Sequence, residues 1–193
     1  MLYPVFLKLI DVSCVMVGGG RVAERKTVQL LKADANVTVI SPNLTPRLQE
    51  LVQNLKIHHK NRAVQANDFD SATLIIAATD DPETNRFVYE QARERNILVN
   101  VVDIPELCTF YVPSLVERGD LTIAISTSGQ APALSRRLRR VLEKYLPTEI
   151  AQDVKRLGEM RRQRKKTISD EKERSRLAQQ EADDVITQHF NKS

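Results

Sequence analysis

Three small residues near the start of the sequence have the spacing of a phosphate-binding turn. An apolar run at 15–17 leads into three glycines, and Gly18, Gly20 and Ala23 follow the pattern G-x-G-x-x-A. In this pattern the first glycine makes the bend, the second lets a pyrophosphate approach the backbone, and the small third residue lets the helix pack closely on the strand. A helix that begins here also directs free N–H groups and the positive end of its dipole toward the same point. The turn therefore predicts a dinucleotide site, with a turn that serves packing alone as the alternative.

The residues around this turn alternate between strand and helix patterns up to about residue 112. The predicted strands cover 13–17, 36–40, 57–60, 74–78 and 97–102, and the predicted helices cover 21–32, 45–53 and 82–95. Such alternation is typical of a parallel sheet with helical crossovers. We therefore predict the α/β class, with a Rossmann-like parallel sheet in residues 1–112.

The ends of two predicted strands supply further candidates, because such sheets bind ligands outside the carboxyl ends of their strands. The second strand ends at 41–43 without the acidic residue that often holds the adenosine ribose, so the Ser41 hydroxyl and the local backbone are the ribose candidates, and NADP is not excluded. Thr79 and Asp80 follow a fully apolar strand and are expected to line the crevice, although Asp80 or Asp81 also suits the start of the next helix. The predicted cofactor-binding residues are Gly18, Gly20, Arg21, Val22, Ala23, Ser41, Pro42, Asn43, Thr79 and Asp80.

One carboxylate, that of Asp103, follows the last predicted strand and so falls at the same edge of the sheet as the glycine turn. Beside a nicotinamide ring, a carboxylate can accept the proton that a substrate releases when it loses a hydride, and burial would raise its pKa toward a useful range. The alternative is a turn-forming aspartate ahead of Ile104 and Pro105. Position alone leaves both interpretations open.

The composition indicates a reduced protein without a membrane segment. The two cysteines, Cys14 and Cys108, have no metal-binding or disulfide spacing. His58 and His59 point to opposite faces of a strand, so no metal site is predicted. The apolar N-terminal stretch has neither a basic start nor a cleavage site, and no segment has the length of a membrane span, so we expect a cytoplasmic protein.

Basic residues cluster late in the sequence, at 136–140 and again at 161–166, although the formal net charge of the whole chain is only +4. Such clusters suggest an anionic partner. No aromatic residues lie among the arginines, which argues against nucleic acid. We expect an anionic small molecule at the first cluster, whereas a solvated helix face is an equally good interpretation of the second.

The sequence pattern changes after residue 110. A strand at 121–126 and an amphipathic helix at 133–146 are predicted, followed by two or three charged helices from residue 148 onward. The apolar positions of the amphipathic helix are Leu134, Leu138, Val141, Leu142 and Tyr145. This stripe is suited to packing on the sheet or on a second subunit.

Six motifs occur together and in order along residues 2–147. They read Pro4-Val5-Phe6-Leu7, Val17-Gly18-Gly19-Gly20-Arg21-Val22-Ala23-Glu24-Arg25-Lys26, Ala77-Ala78-Thr79-Asp80-Asp81, Asn100-Val101-Val102-Asp103, Phe110-Tyr111-Val112-Pro113-Ser114 and Ser126-Thr127-Ser128-Gly129-Gln130-Ala131-Pro132. In these motifs the chain resembles the precorrin-2 dehydrogenase/sirohydrochlorin ferrochelatase family, which includes the N-terminal part of siroheme synthase. Several motifs in register are far more specific than a single glycine turn.

The resemblance implies NAD-dependent oxidation of precorrin-2 to sirohydrochlorin in a homodimer and, in bifunctional members, insertion of ferrous iron. It implies that Asp103 is the catalytic carboxylate, and that a small α+β dimerisation region at 113–147 lies between the NAD-binding domain at 1–112 and a C-terminal helical region at 148–193. A carboxylate-rich tetrapyrrole would give the arginines a role, because guanidinium groups bind carboxylates in a bidentate fork. The residues expected at the substrate are Asn100, Thr127, Ser128, Arg136 and Arg137.

The turn after Ile125 reads Ser-Thr-Ser-Gly where fused members of the family commonly have Ser-Ser-Gly-Gly, so Thr127 aligns with a serine that can be phosphorylated. We expect a stand-alone enzyme, because the sequence is too short to hold a methyltransferase domain as well. A module that senses dinucleotides or carries a tetrapyrrole without turnover is the second hypothesis, and only the enzyme should lose turnover when Asp103 is replaced. The third hypothesis, nucleic-acid binding through the basic helix, predicts affinity that falls steeply with salt.

Overall fold

The computed structural model describes residues 2–190, and Met1 and residues 191–193 of the predicted regions lie outside this range. The described residues form two compact units, which divide between Val112 and Pro113. The first unit contains β1 (Ser13–Val17), α1 (Arg21–Lys32), β2 (Asn36–Ile40), α2 (Pro46–Gln53), β3 (His58–Lys60), β4 (Leu74–Ala77), α3 (Pro82–Glu94) and β5 (Leu98–Val101). The second unit contains β6 (Ser114–Arg118), β7 (Leu121–Ile125), α4 (Pro132–Tyr145), α5 (Ile150–Thr167) and α6 (Glu171–Phe190). The functional division into 1–112, 113–147 and 148–193 stays a prediction.

The strands of the first unit form a five-stranded parallel sheet in the order β3-β2-β1-β4-β5. The chain builds β2 and β3 on one side of β1 and then β4 and β5 on the other side, so the strand order reverses at β1. In such sheets ligands bind at this reversal, outside the carboxyl ends of the strands. Val17 at the end of β1 pairs with Ile40 of β2 and Ala77 of β4, so the glycine turn begins level with the ends of both neighbours. The predicted Rossmann-like α/β fold is confirmed.

Both faces of this sheet are buried under helices. One hydrophobic cluster contains Met16 of β1 and Leu48 of α2, and the other contains Ile75 of β4 and Val88 of α3. Strands that are covered on both faces need continuous apolar runs, which is the pattern that the sequence shows at these positions. The buried core therefore fixes the positions of the strand ends, where the polar candidates lie.

Side chains fix the first turns of α2 and α3 and so hold the loops that precede them. The Thr45 hydroxyl accepts a hydrogen bond from the N–H of Leu48 at 3.3 Å. The Asp81 carboxylate accepts hydrogen bonds from the N–H groups of Glu83 at 3.3 Å and Thr84 at 3.0 Å. Each helix also has a proline in its first turn, where no donor is lost. Asp81 is therefore the capping residue of α3, and Asp80 is not used to cap this helix.

The second unit begins with an antiparallel hairpin of β6 and β7. The sequence predicted β7 but not β6. Gly119, with φ at +56°, makes the tight turn between them. The guanidinium of Arg118 donates to the carbonyl of Leu146 at 3.3 Å and to that of Glu143 at 2.7 Å. These bonds satisfy carbonyls at the end of α4 that have no partner within the helix, and they join the hairpin to that helix.

The two or three helices predicted after residue 148 are two, α5 and α6. Two polar contacts join them: an ion pair between Arg164 and Glu181, and a contact between His189 and Asp153, whose Nε2 and Oδ2 atoms are 2.7 Å apart. Few apolar side chains are buried in this unit, and within residues 2–190 they are Val116, Ile150 and Val185. In the described part of the chain, every helix is too short or too polar to cross a membrane.

Candidate functional site

A cavity of about 550 Å³ lies at the carboxyl edge of the parallel sheet. The loops that follow β1, β2, β3 and β4 contribute its walls, so it lies where the strand order reverses. Its lining residues are Val17, Gly18, Gly19, Gly20, Ile40, Ser41, Pro42, Asn43, Leu44, Thr45, Arg62, Ala63, Val64, Ala78, Thr79, Asp80 and Thr84. Seven of the ten residues predicted to bind a cofactor are in this set: Gly18, Gly20, Ser41, Pro42, Asn43, Thr79 and Asp80.

Two glycines of the turn allow close contact with the neighbouring loops. Gly18 has φ at +112°, and a Cβ atom placed on it would lie 2.3 Å from the carbonyl oxygen of Ala78. A Cβ atom on Gly19 would lie 1.9 Å from the carbonyl oxygen of Asn43. Both distances are far below van der Waals contact, so neither position can hold a side chain without movement of the backbone. The role of Gly19 was not predicted, although a run of three glycines instead of G-x-G was a visible signal.

The third glycine has the opposite environment. A Cβ atom on Gly20 would meet no protein atom within 4 Å, and Gly20 lines the cavity. Gly20 is also the N-cap of α1 and offers no side chain to the first N–H groups of that helix. The open space at Gly20 lies next to uncapped N–H groups and the positive end of a helix dipole. This arrangement fits a diphosphate.

The other predicted residues of α1 do not line the cavity. Arg21 and Val22 contribute backbone N–H groups to the uncapped first turn, and the side chain of Arg21 is exposed. Ala23 is fully buried, so its small side chain serves the packing of α1 in the core, as the third position of the motif requires.

The loop after β2 differs in one respect from the expectation. The Ser41 hydroxyl donates a hydrogen bond to the carbonyl of Asn43 at 2.8 Å and is nearly buried. Its hydrogen is therefore used to hold the turn and is not free for the ribose. Pro42 and Asn43 line the cavity, and no acidic residue of this loop does so.

The loop after β4 is held by two hydrogen-bond contacts between Thr79 and Asn85. The Thr79 hydroxyl and the Asn85 side-chain oxygen are 3.0 Å apart, and the Asn85 amide donates to the Thr79 carbonyl at 3.0 Å. Asn85 is buried in α3. These bonds fix Thr79 at the cavity wall, while Asp80 is exposed and lines the same wall.

Arg62 lines the cavity from the loop after β3 and was not predicted. Its guanidinium binds the Asp68 carboxylate in a two-pronged arrangement, with Nη1 to Oδ2 at 2.8 Å and Nη2 to Oδ1 at 2.7 Å. The hydrogen bonds from Arg62, followed by those from Lys60 and the backbone N–H of Gln65, hold the pKa of Asp68 well below its usual range. Arg62 follows a strand end, so the rule that placed the other candidates could have found it.

Asp103 follows β5 at the same edge of the sheet, but it does not line the cavity. It adopts the left-handed conformation with φ at +61°, which aspartate tolerates better than most residues. The turn that Asp103 makes directs the residue to the surface, where its side chain is exposed rather than buried. The turn-forming and the catalytic interpretations are compatible, since an exposed carboxylate can meet a substrate.

Lys26 of α1 is half-buried, and its ammonium interacts electrostatically with the Asp103 carboxylate. Burial, and then the charge of Arg25, lower the pKa of the Lys26 ammonium, whereas Asp103 and Cys108 act in the opposite direction. Lys26 therefore contributes a positive charge near the segment that carries the candidate catalytic carboxylate.

Asn100, expected at the substrate, is buried in β5 and turned inward. Its amide donates to the carbonyl of Phe110 at 2.9 Å and lies 3.4 Å from the sulfur of Cys108. Thr109 makes a further link to the strand, because its hydroxyl accepts a hydrogen bond from the N–H of Val99 at 2.8 Å. Asn100 therefore holds the segment after Asp103 against the sheet.

The remaining substrate candidates lie in the second unit. The Thr127 hydroxyl accepts a hydrogen bond from the N–H of Ala131 at 3.1 Å and so stabilises the turn before α4. Ser128 is exposed and has φ at +53°. Arg136 and Arg137 are exposed on α4, and their side chains form no ion pair or hydrogen bond with any residue in 2–190. They remain available to an anionic ligand.

Within the part of the chain that the structure describes, no three histidine, cysteine or acidic side chains come together as metal ligands. Cys14 and Cys108 are free thiols, and burial raises the pKa of both.

Comparison with known proteins gives two family matches. The family described as "Putative NAD(P)-binding" matches residues 5–114, and the family described as "Sirohaem biosynthesis protein central" matches residues 118–145. The siroheme synthase of Methylobacillus flagellatus is 50% identical over 144 residues, which are 75% of this chain and 31% of that protein. Siroheme synthase 1 of Serratia proteamaculans is 40% identical over 174 residues, which are 90% of this chain and 37% of that protein. The chain spans about a third of the length of these relatives.

Among solved structures, SirC, a precorrin-2 dehydrogenase, is similar to this chain with a TM-score of 0.82 and 26% identity. The match covers 93% of this chain and 88% of that chain. These findings confirm the resemblance that the six sequence motifs indicated, and they support NAD as the cofactor. Because the first family model extends over more than half of the 193 residues, from residue 5 to residue 114, the chain belongs to this NAD(P)-binding family.

Proposed function

We propose that this chain oxidises precorrin-2 to sirohydrochlorin with NAD as the electron acceptor. The observation that carries the proposal is the cavity at the strand reversal, where Gly20 leaves room for a diphosphate and Asp103 lies at the same edge of the sheet. The likeness to a precorrin-2 dehydrogenase over both units supports this choice among the reactions that NAD permits.

Different residues would bind the cofactor, accept the proton and bind the substrate in this reaction. The glycine turn and the first turn of α1 would hold the pyrophosphate, and the loop after β2 would hold the adenosine. NAD bound there supplies the acceptor for the hydride that the substrate loses. The second hydrogen leaves the substrate as a proton, and the exposed carboxylate of Asp103 accepts it and can return it to water. Arg136 and Arg137 would bind carboxylates of the tetrapyrrole.

The test is an anaerobic assay of the full chain with precorrin-2 and NAD, followed by absorbance, for the wild type and Asp103→Asn. Asparagine also tolerates the left-handed conformation, so the turn should survive the substitution. We expect turnover to fall by about a thousandfold, within the range that removal of a general base gives, while NAD affinity is unchanged. Asp34→Asn is the matched control, because Asp34 is also exposed with φ at +57°, and it should leave turnover unchanged.

Two results would contradict the proposal in different ways. NAD binding without turnover in the wild type would favour the sensor or carrier. Unchanged turnover in Asp103→Asn would leave the dehydrogenase in place but remove the assigned base. Repeating the assay with ferrous ion as a substrate tests iron insertion, which should appear as a second spectral phase that is also lost in Asp103→Asn.

We also propose that the protein acts as a homodimer through α4. Residues Leu134, Leu138, Val141 and Tyr145 are between 40 and 69% exposed, whereas Ser135 on another face of the helix is buried. The apolar stripe is therefore turned away from the packed side of the helix, and a second copy would cover it. Leu138→Asp should reduce the mass found by analytical ultracentrifugation to that of one chain, and Arg140→Asp, at an exposed position of the same helix, is the control.

A further inference from the structure

The cavity has a charged wall on the side of β2 and β3, where the adenosine would lie. Arg62 is the cation of this wall, and its side chain is 35% exposed. The Asp68 side chain is fully inaccessible to solvent and does not line the cavity. The cation that could accept a 2′-phosphate is therefore present at the cavity, but it is bound to a buried carboxylate.

The bonds of Arg62 leave it with few free donors. Nη1 donates both to Asp68 and to the carbonyl of Ala63 at 2.9 Å, and Nη2 donates to Asp68. The terminal fork of the guanidinium, which would clamp a phosphate, is thus occupied by a carboxylate. What remains is one hydrogen on Nη2 and the Nε–H, which can serve neutral acceptors such as ribose hydroxyl oxygens.

The carboxylate itself is held firmly in place. Besides Arg62, it accepts hydrogen bonds from the Lys60 ammonium at 2.8 Å and from the N–H of Gln65 at 2.8 Å. Lys60 and Arg62 together leave the group with one net positive charge, but Lys60 does not line the cavity. A 2′-phosphate beside Arg62 would have to displace the buried carboxylate or lie close to its negative charge, and either arrangement is unfavourable.

The backbone ties this wall to the loop after β2. The carbonyl of Lys60 accepts hydrogen bonds from the N–H of Ser41 at 3.2 Å and from the N–H of Arg62 at 2.9 Å. His59 adds a second link between this wall and the loop, because its Nε2 lies 2.9 Å from the carbonyl oxygen of Ser41. The position of Arg62 is therefore fixed relative to the loop that lacks the usual ribose-binding acid.

We propose that Arg62 contacts the adenosine ribose of the cofactor and that buried Asp68, by occupying the guanidinium fork, makes the site prefer NAD to NADP. This inference rests on the proposed function, because it takes the cavity as the dinucleotide site. Asp68 is then a positioning residue whose effect on cofactor choice is transmitted through Arg62.

The experiment measures the binding of NAD and of NADP to the full chain by calorimetry, without substrate. We expect the wild type to bind NAD about tenfold or more tightly than NADP. Asp68→Asn frees the fork and removes a negative charge, so the affinity for NADP relative to NAD should rise by about tenfold. Glu50→Gln is the matched control, because it breaks the exposed pair with Arg47 on α2 and should leave both affinities unchanged.

Arg62→Gln keeps Asp68 bound to Lys60. This variant tests the role of Arg62 even if Asp68→Asn does not fold. The affinities for NAD and for NADP should fall about equally, because in the wild type Arg62 contacts the ribose and does not bind the 2′-phosphate. Selective loss of NADP binding in Arg62→Gln, equal wild-type affinity for the two cofactors, or an unchanged ratio in a folded Asp68→Asn protein would overturn the inference. A wild type that binds neither cofactor would contradict the proposed function itself.

Discussion

The two units of this chain are stabilised in different ways. In the first unit the strands are buried on both faces, and apolar clusters fill the space between sheet and helices. In the second unit a two-stranded hairpin and three helices bury few apolar side chains, and polar contacts connect α5 to α6. A packed core holds backbone positions closely, which a cofactor site requires. The second unit leaves the apolar face of α4 exposed, and this is the surface that the proposed homodimer would cover.

The largest effect should come from filling the glycine turn of the first unit. Gly18→Ala places a methyl group against the Ala78 carbonyl at a positive φ, and we expect it to lower the free energy of unfolding by about 3 kcal/mol or more and to abolish NAD binding. Gly20→Ala is the control from the same turn, because its methyl group would enter open space. It should change the unfolding midpoint in urea little, yet weaken NAD binding. Similar stability losses in both variants would contradict the steric difference between the two positions.

Lowering the pH should destabilise the first unit, because the Asp68 carboxylate contributes to its stability. The folded protein holds the pKa of this carboxyl below its unfolded value of about 4, so the pair contributes stability above that pH, and the contribution is lost as the pH falls toward the folded pKa. At neutral pH we expect Asp68→Asn to lower the free energy of unfolding by about 2 kcal/mol, since a buried acceptor for several donors is lost. Urea titrations at several pH values should show that the difference between variant and wild type narrows below about pH 4. A stability difference that stays constant across this pH range would contradict the lowered pKa of Asp68.

A smaller effect is expected for the ion pair between α5 and α6. Arg164 and Glu181 are 11% and 18% exposed, so Glu181→Gln should lower the stability of the second unit by about 1 kcal/mol. Hydrogen exchange of the amides in α6 measures this loss without unfolding the first unit. Glu173→Gln removes an exposed pair with Arg176 within α6 and should have no measurable effect. Equal exchange in both variants would show that the connection between the helices does not depend on this pair.

The sequence predicted the first unit better than the second for a physical reason. The bounds predicted for β1, α1 and β2 agree with the structure, because continuous apolar runs and a glycine turn mark each boundary locally. β6 was missed because Val116 is its one fully buried residue, and its strand conformation depends on pairing with β7. A pairing partner cannot be read from five residues of mixed character.

The same distinction applies within the site. The spacing of Gly18, Gly20 and Ala23 is a local signal, and it predicted a ligand site at the position of the cavity. The role of Gly19 depends on the carbonyl of Asn43, and the role of Arg62 depends on Asp68, so neither follows from its own position. The exposure of Asp103 likewise depends on a left-handed turn that the sequence allowed but did not require.

The interlock between the glycine turn and the loop after β2 has a kinetic consequence. The N–H of Thr45 donates to the carbonyl of Gly19 at 3.0 Å, and no side chain fits between Gly19 and Asn43. The two walls that would hold the pyrophosphate and the adenosine thus form a single framework before any cofactor arrives. NAD would enter without waiting for a loop to order, so its association should follow a single exponential, and differences in affinity among variants should reside in the dissociation rate.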